Sequence, residues 1–210
     1  MIKREINMMK LFMIIACLGH IVCGVTDCMM AYSKSGRFDF SDSKDPEKMK
    51  QVFSEMPLRQ IELATIVGIF ALFAAAPGYL SISMWIAQYS KTAGNICFIA
   101  SLFFIVLIVT HHGFCGAAEW FFIRFGRTDE AMTAIMEFFK KTIIMAVAYV
   151  GLLVFAIVFF ILVVAGKTGL PRWAAVFNTF PIFLVLAPTR IPAKGNIANA
   201  IMFLGMSFLL

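Results

Sequence analysis

Five ionisable side chains stand inside long apolar segments of this sequence, and they are His20, Asp27, His111, His112 and Glu119. An ionisable group in the hydrocarbon layer of a membrane is costly unless it is paired or faces a water-filled cavity, so it is by default a candidate for function. Imidazole and carboxylate groups bind zinc, iron and manganese, and the same groups also carry protons. The chemistry open to these residues is therefore metal binding, proton transfer or mutual pairing.

Two of the apolar segments share one polar pattern, H-x-x-C-G-x-x-[D/E]. It begins at His20 in the first segment and at His112 in the third, and its acids are Asp27 and Glu119. Seven residues make nearly two helical turns, so each histidine and its acid share one helix face about 10.5 Å apart. An even number of crossings separates the two segments, so they run in the same direction through the membrane. The pattern therefore predicts two polar stripes that line one cavity.

Small residues beside these stripes favour close approach of the first and third segments to each other. The residues are Gly19, Gly24, Gly113 and Gly116. The expectation is that the two helices pack closely enough to share their polar stripes.

A divalent metal is the first hypothesis for the shared stripes. The ion would be zinc, iron or manganese, and the candidate ligands are His20, Asp27, His111, His112 and Glu119. Cys23 and Cys115 offer additional sulfur ligands. A catalytic site would use three ligands and leave one position for water. The candidate catalytic residues are Asp27, His112 and Glu119.

Further polar residues near the same end of the other segments are candidates for substrate binding, and they are Glu62, Tyr149, Asn196 and Asn199. Together they predict a polar cavity that opens on one side only. A one-sided cavity favours a membrane-embedded metal-dependent enzyme, or a binder of a lipid-like or small amphiphilic molecule. Two alternatives remain open, a proton-coupled small-solute transporter or channel, and a structural protein in which histidines and acids pair between helices.

The composition indicates what kind of protein positions these residues. The chain has 210 residues, of which 61% are hydrophobic and 14% are charged, against roughly 45–50% and about 25% in soluble domains. The net charge of +6 lies mainly between apolar segments, where basic residues meet lipid headgroups. The predicted partners are therefore membrane lipids and not nucleic acid. The five cysteines all fall in apolar stretches, so they do not indicate disulfides.

The fold class follows as an all-α integral membrane protein, a bundle of about six transmembrane helices that forms a single domain over residues 1–210. The candidate spans are residues 11–32, 61–86, 94–123, 142–165, 173–188 and 195–210.

The connections between these spans predict short helices on the membrane surface. In the polar connection 33–59, Asp45 followed by Pro46 predicts the start of a helix, with Asp45 as its N-cap and Pro46 in its first turn. Thr128 is a similar start, and the segment 131–141 that follows either lies at the interface or prolongs the fourth span. Lys3, Arg4 and Lys10 ahead of the first span favour a cytoplasmic N-terminus, although the basic residues of the opposite connections favour the reverse.

Two motifs resemble a known family. An acid followed by Met29-Met30-Ala31-Tyr32, and the later run Gly166-Lys167-Thr168-Gly169-Leu170-Pro171-Arg172-Trp173, are similar to an uncharacterised bacterial family of small multi-spanning membrane proteins. The resemblance implies a fold of six helical spans in a bacterial cell membrane. It implies no established activity.

Overall fold

The computed structural model describes residues 2–38 and 45–210, and within them the regular structure is helical apart from one short hairpin. Residues 39–44 of the polar connection and the side chains of residues 2–5, including Lys3 and Arg4, lie outside this description, and the cytoplasmic N-terminus stays a prediction. The helices are α1 (Ile2–Ala31), α2 (Pro46–Phe53), α3 (Leu58–Ala87), α4 (Lys91–Arg124), α5 (Asp129–Lys141), α6 (Ile144–Val164), a 3₁₀ helix (Arg172–Phe177), α7 (Thr179–Leu186) and α8 (Lys194–Leu209). The hairpin pairs β1 (Tyr32–Ser33) with β2 (Gly36–Arg37).

Four of the described helices are long and apolar enough to cross a membrane. They are α1 from Ile6, α3, α4 and α6, with 26, 30, 34 and 21 residues in their apolar parts. Because only an internal hydrogen-bond ladder satisfies the backbone in lipid, such helices are the expected spanning elements. The chain is a multi-span helical membrane protein.

The prediction of six spans is wrong, because the last two candidates do not form helices of spanning length. Residues 173–188 divide into the 3₁₀ helix and the eight-residue α7. The break falls at Asn178, whose side chain accepts a hydrogen bond from the backbone of Phe180 and caps α7. The last candidate, residues 195–210, corresponds to α8. This helix has 16 residues and is about 24 Å long, less than the roughly 30 Å thickness of a hydrocarbon core.

The bundle is organised around α3, which packs extensively against both α1 and α4. The other main contacts are those of α4 with α6 and of α1 with α8. The helices α1 and α4 lie close enough to share polar residues, since His112 Nδ1 is 3.3 Å from Asp27 Oδ1, although α3 supplies the main packing surface of each. Most of the predicted small residues serve this approach to α3. A Cβ on Gly19 would lie 2.5 Å from the carbonyl oxygen of Ala71, and one on Gly116 would lie 2.6 Å from Thr65 Cγ2.

The helices α2 and α5 begin where the sequence predicts. The Asp45 side chain caps α2 at the Lys48 amide (3.1 Å), and Thr128 caps α5 at the Ala131 amide (3.2 Å). The helix α5 ends at Lys141 and the next residue, Thr142, has an extended backbone, so α5 does not prolong α6.

The helices α2 and α5 are joined to each other. Lys50 of α2 forms an ion pair with Asp129 of α5. Arg127, just before α5, donates to the carbonyl oxygen of Phe53 at 2.9 Å and to that of Met56 at 3.0 Å. Buried side chains of both helices pack with Met30 and Phe122, which lie near the ends of α1 and α4.

An aromatic cluster fills the bundle farther along the helices. Tyr79 of α3 contacts Phe104, Phe155 and Phe203 edge-to-face, with ring centroids 4.7–5.3 Å apart. All four rings are at most 3% exposed. This aromatic cluster borders the cavity described in the next subsection.

Candidate functional site

A cavity of about 1080 Å³ lies among α1, α4, α5, α6 and α8. One end is bounded by Arg37, Met49 and Glu137, near α2 and α5, and the other by Phe104 and Leu152, at the aromatic cluster. Its lining contains seven of the nine site residues predicted from sequence, all except His20 and Glu62. They are Asp27, His111, His112, Glu119, Tyr149, Asn196 and Asn199, and Cys23 and Cys115 line the cavity with them.

Three side chains in this cavity converge on one point. The Cys23 sulfur, a carboxylate oxygen of Asp27 and a ring nitrogen of His112 all lie within 4.8 Å of one another. His112 Nδ1 is 3.3 Å from Asp27 Oδ1, and Cys23 Sγ is 4.0 Å from the same oxygen. Cys23 and Asp27 are one turn apart on α1, whereas His112 comes from α4. The three residues offer one sulfur, one oxygen and one nitrogen ligand.

The hydrogen bond of His112 Nε2 determines whether Nδ1 carries a proton in the neutral ring. His112 Nε2 lies 3.2 Å from the backbone carbonyl oxygen of Ala64. A carbonyl oxygen only accepts hydrogen bonds, so Nε2 carries the proton of this bond. In a neutral imidazole Nδ1 then carries a lone pair and no proton, and it faces a carboxylate oxygen that also only accepts hydrogen bonds. A proton or a metal ion must therefore lie between His112 and Asp27.

Asn196 of α8 supports Asp27 from the other side. Its amide nitrogen donates to Asp27 Oδ2 at 2.7 Å and lies 3.4 Å from Cys23 Sγ. Its Oδ1 atom accepts from His20 Nδ1 at 2.8 Å, and His20 Nε2 in turn accepts from the Tyr79 hydroxyl at 2.8 Å. Both nitrogens of His20 are thus occupied, and two hydrogen bonds through Asn196 connect His20 to Asp27.

Gly68 of α3 provides the space in which His112 and Asp27 meet. A Cβ at this position would lie 2.5 Å from His112 Cε1 and 2.7 Å from Thr26 Oγ1. Since Thr26 immediately precedes Asp27, any side chain at position 68 would press on both halves of the group. The missing side chain of Gly68 allows residues of α1 and α4 to touch across α3.

The remaining predicted residues of α4 form a separate stripe on the cavity wall. His111 Nε2 is 3.5 Å from Cys115 Sγ. Glu119 follows one turn later, and its Oε2 atom is buried without a hydrogen-bond partner in the described part of the chain. The repeated sequence pattern therefore does not give two equivalent sites. Its first copy supplies Cys23 and Asp27, and its second supplies His112 to the same group.

The residues predicted to bind substrate are divided between several positions. Tyr149 and Asn199 line the cavity, and Asn199 also accepts a hydrogen bond from the Thr179 hydroxyl at 2.7 Å. Glu62 is exposed on α3, where it accepts from the Trp120 ring nitrogen at 2.9 Å.

Sequence reasoning missed Ala64, Gly68 and Tyr79, all on α3. Ala64 acts through its backbone carbonyl, which has no sequence signal. Gly68 and Tyr79 are a small residue and a hydroxyl within an apolar segment, the kinds of residue that mark helix packing and interhelical hydrogen bonds in membranes.

Comparison with known protein families assigns the chain to one of them. The model of a family of unknown function, DUF6796, matches residues 1–208, and the chain belongs to this family. No curated protein matches the chain, and no solved structure matches it.

Proposed function

We propose that this protein is a membrane-embedded metalloprotein that binds a small amphiphilic molecule in its cavity. The ion is held by Cys23, Asp27 and His112, and it meets the polar end of the bound molecule. The observation that carries this proposal is the His112 ring, whose Nε2 bond to the Ala64 carbonyl directs Nδ1 toward Asp27.

The geometry of the group suits a tetrahedral ion such as zinc. Bonds of about 2.0 Å to nitrogen and oxygen require those two atoms to be about 3.3 Å apart along the edge of a tetrahedron. The separation of His112 Nδ1 from Asp27 Oδ1 is 3.3 Å, slightly longer than an ordinary hydrogen bond between nitrogen and oxygen. Cys23 Sγ needs only a small approach to complete the third position.

The surroundings provide the supporting bonds that metal ligands use. A ligating histidine donates its other N–H to a carbonyl or carboxylate, which fixes the ring and its tautomer. His112 has this partner in Ala64. Asp27 has its second oxygen held by Asn196, so the oxygen nearer His112 and Cys23 remains for the ion.

Three protein ligands leave a fourth position for water or for the bound molecule. An ion in such a site polarises a carbonyl group or activates a water molecule. Hydrolysis of the bound amphiphile is therefore the enzymatic form of the proposal. Asp27 and His112 serve as ligands, and Glu119 is the carboxyl group left in the cavity to bind a donor or move a proton.

The cavity itself favours an amphiphile as the bound molecule. Its volume of about 1080 Å³ is at the upper end of the range for small-molecule sites, roughly 300–1,000 Å³. Methionine, phenylalanine, isoleucine and leucine are 15 of the 34 residues that line it, and the polar groups are concentrated on α1, α4 and α8. A molecule with one apolar and one polar part would match this division.

Elemental analysis of protein purified without a histidine tag tests the proposal. We expect about one zinc, iron or manganese ion per chain. The content should fall sharply in Asp27→Asn and His112→Ala and stay unchanged in Glu62→Gln, a matched loss of an exposed acid on α3. Folded wild-type protein that contains no metal, and takes up none from added zinc, would refute the proposal.

A proton-coupled transporter is the second candidate, and one specific feature favours it. Hydrogen bonds connect Asp27, Asn196, His20 and Tyr79 in an unbroken series. The series ends at Tyr79, whose ring packs against Phe104, Phe155 and Phe203. Uptake of a solute into proteoliposomes that requires a pH gradient, and that is lost in Asp27→Asn, would favour the transporter over the metalloprotein.

A further inference from the structure

We infer that Glu119 recognises a protonated amine on the amphiphile. This inference rests on the proposed function, because it takes the same cavity as the binding site, and it adds the chemical class of the bound molecule. The relevant surface is the part of the α4 wall beyond His112, toward α2 and α5.

Glu119 is a half-buried acid to which the described residues offer no hydrogen-bond or ion-pair partner. It lines the cavity, and its Oε2 atom has no hydrogen bond within the described residues. No ion pair joins it to a described lysine, arginine or histidine. Asp27 differs in this respect, since Asn196 and His112 contact both of its oxygens.

A carboxylate in such a place is best matched by a cation that also donates hydrogen bonds. A carboxylate only accepts, so its partner must carry N–H or O–H groups. A buried charge that lacks an opposite charge is costly, and a membrane interior increases this cost. A hydroxyl group supplies the donor alone, whereas an ammonium group supplies both the donor and the charge.

The cavity wall near Glu119 suits an ammonium group attached to an alkyl chain. Phe122 stands one turn after Glu119, and its ring contacts that of Phe53 edge-to-face at 6.0 Å. Both rings line the cavity, as do Met132 and Met136 of α5. Aromatic rings attract ammonium groups, and flexible methionine side chains adapt to alkyl chains.

The position of Glu119 also sets the spacing of polar groups on the molecule. Glu119 lies seven residues after His112 on α4, which is about 10.5 Å along the helix. An amphiphile that reaches both would carry its amine roughly 10 Å from the group that meets the ion.

Binding of dodecylamine, dodecanol and dodecanoate to the purified chain in a nonionic detergent tests this inference, because the three probes share one alkyl chain. We expect wild type to bind the amine at least about tenfold more tightly than the alcohol, a difference of about 1.4 kcal/mol. Glu119→Gln should lose that preference and keep its affinity for the alcohol. Glu137→Gln is the matched control, because Glu137 also lines the cavity but is exposed, and it should retain the preference.

Equal wild-type affinities for the amine and the alcohol would overturn the inference, even if Glu119→Gln failed to fold. An equal loss of preference in Glu137→Gln would also overturn it, since general attraction to an acidic surface would then explain the binding. Zinc content is measured on the same samples. Zinc without amine preference refutes the role of Glu119 alone, and amine preference that depends on Glu119 without zinc refutes the metal site alone.

Discussion

The His112 ring of α4 meets Asp27 of α1 at Gly68, a residue of the helix that packs against both. A Cβ on Gly68 would lie 2.5 Å from His112 Cε1. The contact between the two site residues therefore depends on a third helix, and specifically on the absence of a side chain from it.

Gly68→Ala should separate His112 from Asp27. We expect overpacking to lower the stability by about 1–3 kcal/mol and to reduce the bound metal, because the added methyl occupies the place of the imidazole. Gly113→Ala is the control, since its Cβ would meet Ile69 Cδ1 at an ordinary 3.4 Å. Thermal unfolding and metal content measure both effects. Full metal content in a stable Gly68→Ala protein would contradict this role.

Tyr79→Phe should destabilise the protein without removing the metal. Loss of the hydroxyl leaves His20 Nε2 buried without its partner, at a cost of about 1–3 kcal/mol. Tyr89→Phe is the control, because Tyr89 is 45% exposed near the end of α3. A loss of metal from Tyr79→Phe at unchanged unfolding temperature would instead indicate that His20 takes part in binding the ion.

Asn196→Leu should weaken metal binding by about 10–100-fold, the usual effect of removing a group that holds a ligand. The change leaves Asp27 Oδ2 without its donor and permits the carboxylate to rotate. Asn199→Leu removes a different hydrogen bond of α8, that with Thr179. It should lower stability but leave the zinc affinity of the folded protein unchanged. Equal zinc affinities in the two variants would contradict a supporting role for Asn196.

The sequence predicts much of the helical content and the polar residues, but not how they combine. Four long apolar segments indicate their helices directly, and Asp45 and Thr128 mark the starts of α2 and α5. The last two candidate spans fail because an apolar composition cannot show that Asn178 divides one of them. The repeat around His20 and His112 suggests equivalent roles, yet Asn196 and Tyr79 occupy both nitrogens of His20. Such partners come from distant parts of the chain, so spacing within one helix cannot reveal them.

The most direct test of the metal site is X-ray absorption at the zinc edge of zinc-loaded protein. The account predicts one sulfur ligand at about 2.3 Å and lighter nitrogen or oxygen ligands at about 2.0 Å. The sulfur signal should disappear in Cys23→Ser and persist in Cys115→Ser, which removes the other cysteine of the cavity wall. A zinc spectrum with no sulfur in wild type, or a sulfur signal that survives Cys23→Ser, would contradict the assignment of the ion to Cys23, Asp27 and His112.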